Sequence, residues 1–349
     1  MKSKRPTMGG DKLPESQNLP VVKIQSEMKQ SQMDNAKVPV NVVVIGSINC
    51  DLTTYLKAFP LKNQTAMAEQ SILSIGGKGV NQAVAAAREG ANVSFIGCVG
   101  NDMFADKALG YLHKHRVNTD CIRRVDKFST GTASILVTNQ HDNMIAVAPG
   151  ANCQLTVEDV NKAEQLISRA DVIIVQLEVP SETVKAALLL ARKYHILSVF
   201  NPAPATDDAK SLYSLADIVT PNETEAAQLT GVAIEGVKGA SQAGDIMLCE
   251  GVNQVVITLG GQGCYICSDS TQQFIPPFDV EVKDPTGAGD VFNGVLAVGR
   301  ARGIPLQQAV IRASAAAALS VSKPLAQDAA PATIHIDQFL QSNLYGLDH

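Results

Sequence analysis

Residues 284 to 290 read Asp-Pro-Thr-Gly-Ala-Gly-Asp and run straight into VFNGVLAVGRA, an apolar stretch with helical spacing. A helix that starts at Gly287 to Gly289 leaves backbone N–H groups unpaired at its positive end, and residues with almost no side chain let an anion reach them. Asp290 then falls in the first turn, beside that anion. An acid there is either a base toward an attacking hydroxyl or an ordinary partner of the helix dipole, and the loop alone does not choose. Gly46-Ser-Ile-Asn49-Cys-Asp51 ends a strand with an amide and a carboxylate two residues apart, on one side of an extended chain. Such a pair can grip two vicinal hydroxyls of a sugar, or it can make a turn. Gly76-Gly77-Lys78-Gly79 opens a second helix with Asn81 one turn in, and a simple loop needs fewer glycines.

The commoner nucleotide signatures fail on spacing. A Walker loop needs Gly where Ile72 stands and Ser or Thr where Gly79 stands, and a dinucleotide fingerprint starting at Gly287 breaks at Phe292. Cys264 and Cys267 form a C-x-x-C, but inside a short strand an odd separation sends the two thiols to opposite faces, which reads as two structural cysteines. His113 and His115 lie two apart on a helix and do not share a site.

The elements that must carry these residues are legible as a rhythm. Apolar β-branched runs recur at VNVVVIGSI, NVSFIGCVG, DVIIVQLE, ILSVFNP, DIVTPN and QVVITLGG, with helical stretches between them. That alternation predicts an α/β fold with a mostly parallel sheet and helices on both faces. Residues 52–75 and 120–148 instead alternate apolar and polar positions, as antiparallel strands do; parts of both predict a small β-sheet that covers a site as a lid. Residues 1–38 lack sustained apolar periodicity and read as a flexible extension ahead of one domain at 39–345.

A chain of 349 residues, 45% hydrophobic and 18% charged, with formal net charge -5, is expected to bind a small ligand rather than nucleic acid or a membrane. Its start lacks the apolar core of a secretory signal, its acids break the pattern of an organelle transit peptide, and its seven scattered cysteines do not suggest a disulfide framework. The expected location is the cytoplasm.

In order and spacing, GSINCD, GGKGVNQA, CVGND, NPAPA, PNETEA, TLGGQG and DPTGAGDVFNG resemble the ribokinase family of ATP-dependent sugar kinases, within the larger phosphofructokinase-B group. The likeness runs from about Val40 to Val321, and APGAN at 148–152 narrows it to the ribokinase branch. The resemblance implies that Asp290 is the base toward the 5-hydroxyl of ribose and that the amides of Gly287, Ala288 and Gly289 form the anion hole. It implies that Asn49, Asp51, Gly76, Gly77, Lys78, Asn81 and Glu178 hold the sugar. ATP would meet Asn222, the turn Thr258-Leu259-Gly260-Gly261-Gln262-Gly263, Gly289 and, near the adenine, Ser314. Asn222 and Glu225 would help to arrange Mg²⁺ and phosphate through water. A potassium site would use Asp284, Thr286, Ser320, Lys323, Leu325 and Ala329. The chain departs from the family at this ion site, where Gly is expected at Leu325 and Ser at Ala329, and again at Ser314, where Asn is frequent.

Exposed edges of the lid strands seek partners, which predicts a homodimer joined through the lid sheets. Two rival readings stand beside ribose phosphorylation: a kinase for deoxyribose, fructose or a nucleoside, and an inactive sugar-binding regulator. The scarcity of aromatic rings disfavours a nucleoside, and an intact Asp290 disfavours the regulator.

Overall fold

The computed structural model describes residues 39–138, 140, 142–323 and 330–344. The expected extension at 1–38, and Leu325 and Ala329 of the expected ion site, lie outside the described residues. The described strands are β1 (Asn41–Ile45), β2 (Asn49–Leu56), β3 (Gln70–Gly76), β4 (Asn92–Gly100), β5 (Asn118–Val125), β6 (Gly131–Thr138), β7 (Asn143–Ala148), β8 (Val172–Val175), β9 (Leu197–Phe200), β10 (Ile218–Val219), β11 (Gln254–Thr258), β12 (Cys264–Ser268) and β13 (Thr271–Ile275).

Nine of these form a sheet in the order β13-β12-β11-β10-β9-β8-β1-β4-β5, parallel from β11 through β5 and antiparallel at the β12 and β13 edge. Helices cover both faces, so the strands have no polar side. In β1, Val42 and Val44 enter one apolar core while Val43 and Ile45 enter the other. That is why the run reads as continuously apolar rather than alternating. Cys264 and Cys267 likewise point into opposite cores, as their odd spacing requires. Among the described residues no helix is long and apolar enough to cross a membrane.

The second sheet has the order β3-β2-β6-β7. It is not wholly antiparallel as the alternation suggested, because β2 pairs parallel to β6 while the β2–β3 and β6–β7 pairs are antiparallel. The stretch from 120 is shared between sheets. Its first part, in β5, pairs with β4 in the large sheet, and its later part forms β6 and β7.

Two helices position the chemistry. Lys78–Arg88 follows β3 directly, and Ala288–Ala301 is buried from Asp290 through Gly299. They cross at Gly294, where an added Cβ would lie 2.6 Å from the Gln82 carbonyl oxygen and 2.7 Å from the Ala85 methyl. Only glycine permits that approach, and the approach brings Asn81 and Gln82 against Asp290. At the far end of the first helix, the fully buried Glu89 pairs with Arg312 at 2.6 Å and Arg302 at 3.3 Å, and Arg312 also reaches Asp337 at 2.6 Å. A buried charge is tolerated only when paired, so these four residues tie the two site helices and the two C-terminal helices into one register.

Candidate active site

Asp290 sits in the first turn of Ala288–Ala301 and is 7% exposed. Asn81 Nδ2 donates to its Oδ2 at 2.9 Å, and Gln82 Nε2 donates to its Oδ1 at 3.1 Å. Burial dominates its electrostatics and pushes its pKa above the usual aspartate value; Lys78 and the two amides oppose that rise, while Glu178 adds to it. Lys78 is surrounded by Asp290, Glu178 and Glu225. Burial alone would lower its pKa, yet the three carboxylates together hold it above the ordinary lysine value. One fixed cation among three acids makes this end of the sheet a place for a polyanion only if that anion brings its own countercharge.

Gly287, Ala288, Gly289 and Asp290 line a cleft together with Lys78, Asn222, Glu225 and Thr258. Gly287 occupies the cap position of the helix, followed by N–H groups that have no acceptor within the helix. Residues from both sides of the sequence therefore meet where the parallel strands end, the usual ligand edge of such sheets.

Asn49 and Asp51 lie two apart on β2 and share one face. Asp51 lies over Gly76, where an added Cβ would sit 2.0 Å from Asp51 Oδ2, so any side chain at 76 would displace the carboxylate. Asp51 Oδ1 is buried without a hydrogen-bond partner. Burial first, and the nearby Glu178 second, raise its pKa to about 6. A buried acceptor held this way suits a hydroxyl donor. Asn49 Oδ1 accepts from Asn152 Nδ2 at 2.8 Å, which leaves its own amide N–H groups for a ligand.

Glu178 lies three residues past the end of β8, not on it as the apolar run suggested. Its Oε2 accepts from Ser47 Oγ at 2.5 Å and from the Lys78 backbone N–H at 3.1 Å. It thus caps the helix that opens with Gly77, in the role of a side-chain acceptor that Gly77 does not have. Asn222 and Glu225 form a capping box on the helix Glu223–Thr230, with bonds of 2.8 and 2.9 Å. Burial raises the Glu225 pKa, with the Asn222 N–H and Lys78 opposing.

Thr258 closes β11 and pairs as a bridge with Asn222. In the turn that follows, Gly260 and Gly261 are exposed, whereas the Leu259 side chain turns into the core at 1% exposure and leaves only its backbone for a ligand. Gly263 N–H and Leu259 N–H bond within the turn, through Gly260 and Gly263 carbonyls. Ser314 lies beneath it, its hydroxyl 3.8 Å from Cys264 Sγ. Asp284 Oδ1 accepts from Thr286 N–H at 2.9 Å, and the Lys283 and Asp284 N–H groups both bond to Val321 O. The structure thus brings Asp284 and Thr286 beside Ser320 and Lys323, whose own backbones bond to each other at 3.2 Å.

Several polar residues of the site carry no charge and were missed in the sequence. Ser47 holds Glu178 and Asn152 holds Asn49, while Gln82, Gln176, Asn201, Thr220 and Asn293 form a buried polar group beside Asp290, the last three also lining the cleft. A signal existed for Gln82, the one polar side chain among the buried positions between Gly79 and Ala86, next to the half-buried Asn81.

Comparison with known proteins agrees with this layout. The pfkB family carbohydrate kinase pattern matches residues 40–333. A ribokinase of Mus musculus is 39% identical over 83% of this chain and 91% of its own, and a ribokinase of Haemophilus influenzae is 37% identical over 86% and 98%. A deoxyribokinase of Salmonella typhi is 33% identical over 87% and 100%. The structure of Arabidopsis thaliana ribokinase complexed with ribose and ATP superposes with a TM-score of 0.80 at 27% identity, covering 87% of this chain and 99% of that one. With most of its length matched at this level, the chain belongs to the pfkB family of carbohydrate kinases.

Proposed function

We propose that this chain transfers the γ-phosphoryl group of ATP to the 5-hydroxyl of D-ribose, giving ribose 5-phosphate and ADP. The observation that carries the reading is Asp290: a buried carboxylate, oriented through both oxygens, in the first turn of a glycine-started helix. Asp290 accepts the hydroxyl proton as the sugar oxygen bonds to phosphorus. The bond to the bridging oxygen breaks, and its electron pair leaves with ADP. The amides of Gly287, Ala288 and Gly289 face the charge that grows on the transferring group, each such donor contributing about 3 kcal/mol. Asn49, Asp51, the Gly76-Gly77-Lys78 segment, Asn81 and Glu178 hold the sugar. Asn222, Gly289, the Thr258 to Gly263 turn and Ser314 hold ATP.

The countercharge that the acidic cleft lacks is supplied by Mg²⁺ arriving with ATP, which draws charge from the phosphate oxygens. The donor set fits: Asn222 and Glu225 line the cleft with Asp290, and Mg²⁺ with nucleotides keeps its waters and needs few protein ligands. Glu225 and Asn222 are the residues to meet that water shell. Potassium would sit beside Asp284, Thr286, Ser320 and Lys323, which the bonds of Lys283 and Asp284 N–H to Val321 O bring together; Leu325 and Ala329, where the chain departs from the family, lie outside the described residues. The small sheet acts as a lid over the sugar, and the scattered cysteines favour the reducing cytoplasm.

The lid reading also implies a second copy. Pair register places Ile145 and Val147 on the same face of the small sheet as Asn49 and Asp51, and they are 56% and 52% exposed. An apolar face of this kind is best covered by its own equivalent across a two-fold axis. Sedimentation at micromolar concentration is expected to give a dimer; a single monomer boundary would remove the dimer from the proposal.

The 33% identity to a deoxyribokinase keeps deoxyribose as the second reading. ADP release from ATP and Mg²⁺ should be followed with ribose, deoxyribose, fructose and adenosine, each in potassium or in sodium alone. Ribose is expected to give the highest kcat/KM, with stimulation by potassium. Preference for deoxyribose would move the assignment to that sugar, and ribose binding with no turnover of any substrate would make the chain a sugar-binding regulator.

A further inference from the structure

Beside Asp290, a run of neutral amides leads inward from the cleft wall, where Asn201 and Thr220 stand, to Gln82 and Gln176, and its direction is set by a backbone carbonyl. Thr220 O can only accept, and Asn201 Nδ2 donates to it at 2.9 Å. Asn201 must therefore turn Oδ1 outward, where Gln82 Nε2 donates to it at 3.3 Å. The same Gln82 amide nitrogen donates to Asp290 Oδ1 at 3.1 Å. Its carbonyl, Oε1, is taken by Gln176 Nε2 at 2.6 Å. Gln82 and Gln176 are fully buried, so no solvent competes for these bonds and none of the amides can flip without losing a partner.

We propose that Gln82 is a positioning residue for the catalytic base, its amide locked by Asn201 and Gln176 so that an N–H, never a carbonyl, faces Asp290. The lock has two effects. It fixes the carboxylate plane together with Asn81, so that a lone pair is aimed at the cleft. It also favours the ionised acid, the form that takes a proton, in a place where burial favours the neutral one. The charged groups facing Asp290 are Lys78 on the same helix as Gln82, Glu178 beyond β8 and Glu225 on the helix after β10. Lys78 assists ionisation and the two acids oppose it. Among the described residues, Asn81 and Gln82 are the uncharged contributors and the direct side-chain donors.

The inference rests on Asp290 being the base. Its test compares two isosteric changes with similar cost to packing, Gln82→Met and Gln176→Met, in the full chain. Gln82→Met is expected to lower kcat about tenfold and to move the acid limb of kcat/KM upward by about one pH unit, because an ionised acceptor loses a donor. KM for ribose should stay within about twofold, since Gln82 does not reach the sugar residues. Gln176→Met removes one of the two locking partners but leaves Asn201 and the Gln82 to Asp290 bond in place, and is expected to move the acid limb less than about half as far. Equal limb shifts in both variants, or none in either, would overturn the positioning role. Should Gln82→Met fail to fold, Gln82→Asn, whose amide stops one methylene short, must show the same upward shift or the proposal falls. Full turnover in Asp290→Asn would instead sink the base assignment itself, a separate failure.

Discussion

Asp290→Asn is expected to lower kcat by at least about a hundredfold while ribose affinity stays within about threefold of the parent. The asparagine keeps the shape of the side chain and removes only its capacity to take a proton. It should not cost stability at neutral pH. The raised pKa means that the folded protein holds the ionised acid against burial, so stability is lost as pH rises from the unfolded value through the folded one. A neutral side chain removes that cost, which offsets the one amide contact with Asn81 or Gln82 that an asparagine cannot accept. Steady-state kinetics with a ribose titration by calorimetry separates the effects. Near-normal kcat would take the base role from Asp290, and loss of ribose binding would make the residue a sugar ligand first.

Asp51→Asn is expected to do the opposite for stability and binding. Burial and Glu178 raise the folded carboxyl from the ordinary aspartate value of 3.8 to about 6, so the unfolded chain ionises first. Stability falls between those pH values and stays lower above them. The difference corresponds to about 2 kcal/mol at pH 7 after a discount for partial exposure. The asparagine variant should therefore melt higher than the parent at pH 7 and equal to it near pH 4. Its ribose KM should rise about 10- to 100-fold, because a charged hydrogen bond to a hydroxyl is replaced by a weaker neutral one. Identical melting at pH 7 would show that Asp51 carries no burial penalty. On the proposed function, the protein keeps a destabilising acid as a hold on the sugar.

Strands β1, β4, β8, β9, β10 and β11 of the large sheet were legible because they are apolar on both sides, whereas β5 and β13, with polar and exposed positions, were not. The helix Gly236–Cys249 was not. Its buried stripe is Gly239, Ala240, Ala243, Gly244 and Met247, residues too small to register as an apolar face, and its glycines read as turns. Gly244 is needed because a Cβ there would lie 2.8 Å from the Cys267 Cβ, so packing overrode propensity. The parallel β2–β6 pairing was hidden for another reason. Alternation shows that a strand has one wet face, but not which neighbour it joins.

At the site, acids and glycine loops announced themselves through their motifs. Gln82, Asn152, Asn201 and Asn293 did not, since a neutral amide has a role only through partners, and here several of those partners lie more than 100 residues away in sequence. Gly294 fits the same pattern. It is one more glycine in an apolar helix until the second helix is laid across it.

On the proposed function, the division of the sugar residues between the small sheet and the main body decides what happens when no sugar is present. Asn49 and Asp51 belong to β2 of the small sheet, whereas Asp290 belongs to a helix of the main body. Water is as good a phosphoryl acceptor as a sugar hydroxyl and far more abundant, so an acceptor site complete in one rigid piece would hydrolyse ATP continually. A site whose two walls are separate elements is complete only when a molecule spans them, and water is too small to touch both. The hydroxyl pattern of the sugar is thus both the substrate and the key that closes the circuit, and idle ATP is spared by geometry rather than by a separate inhibitor.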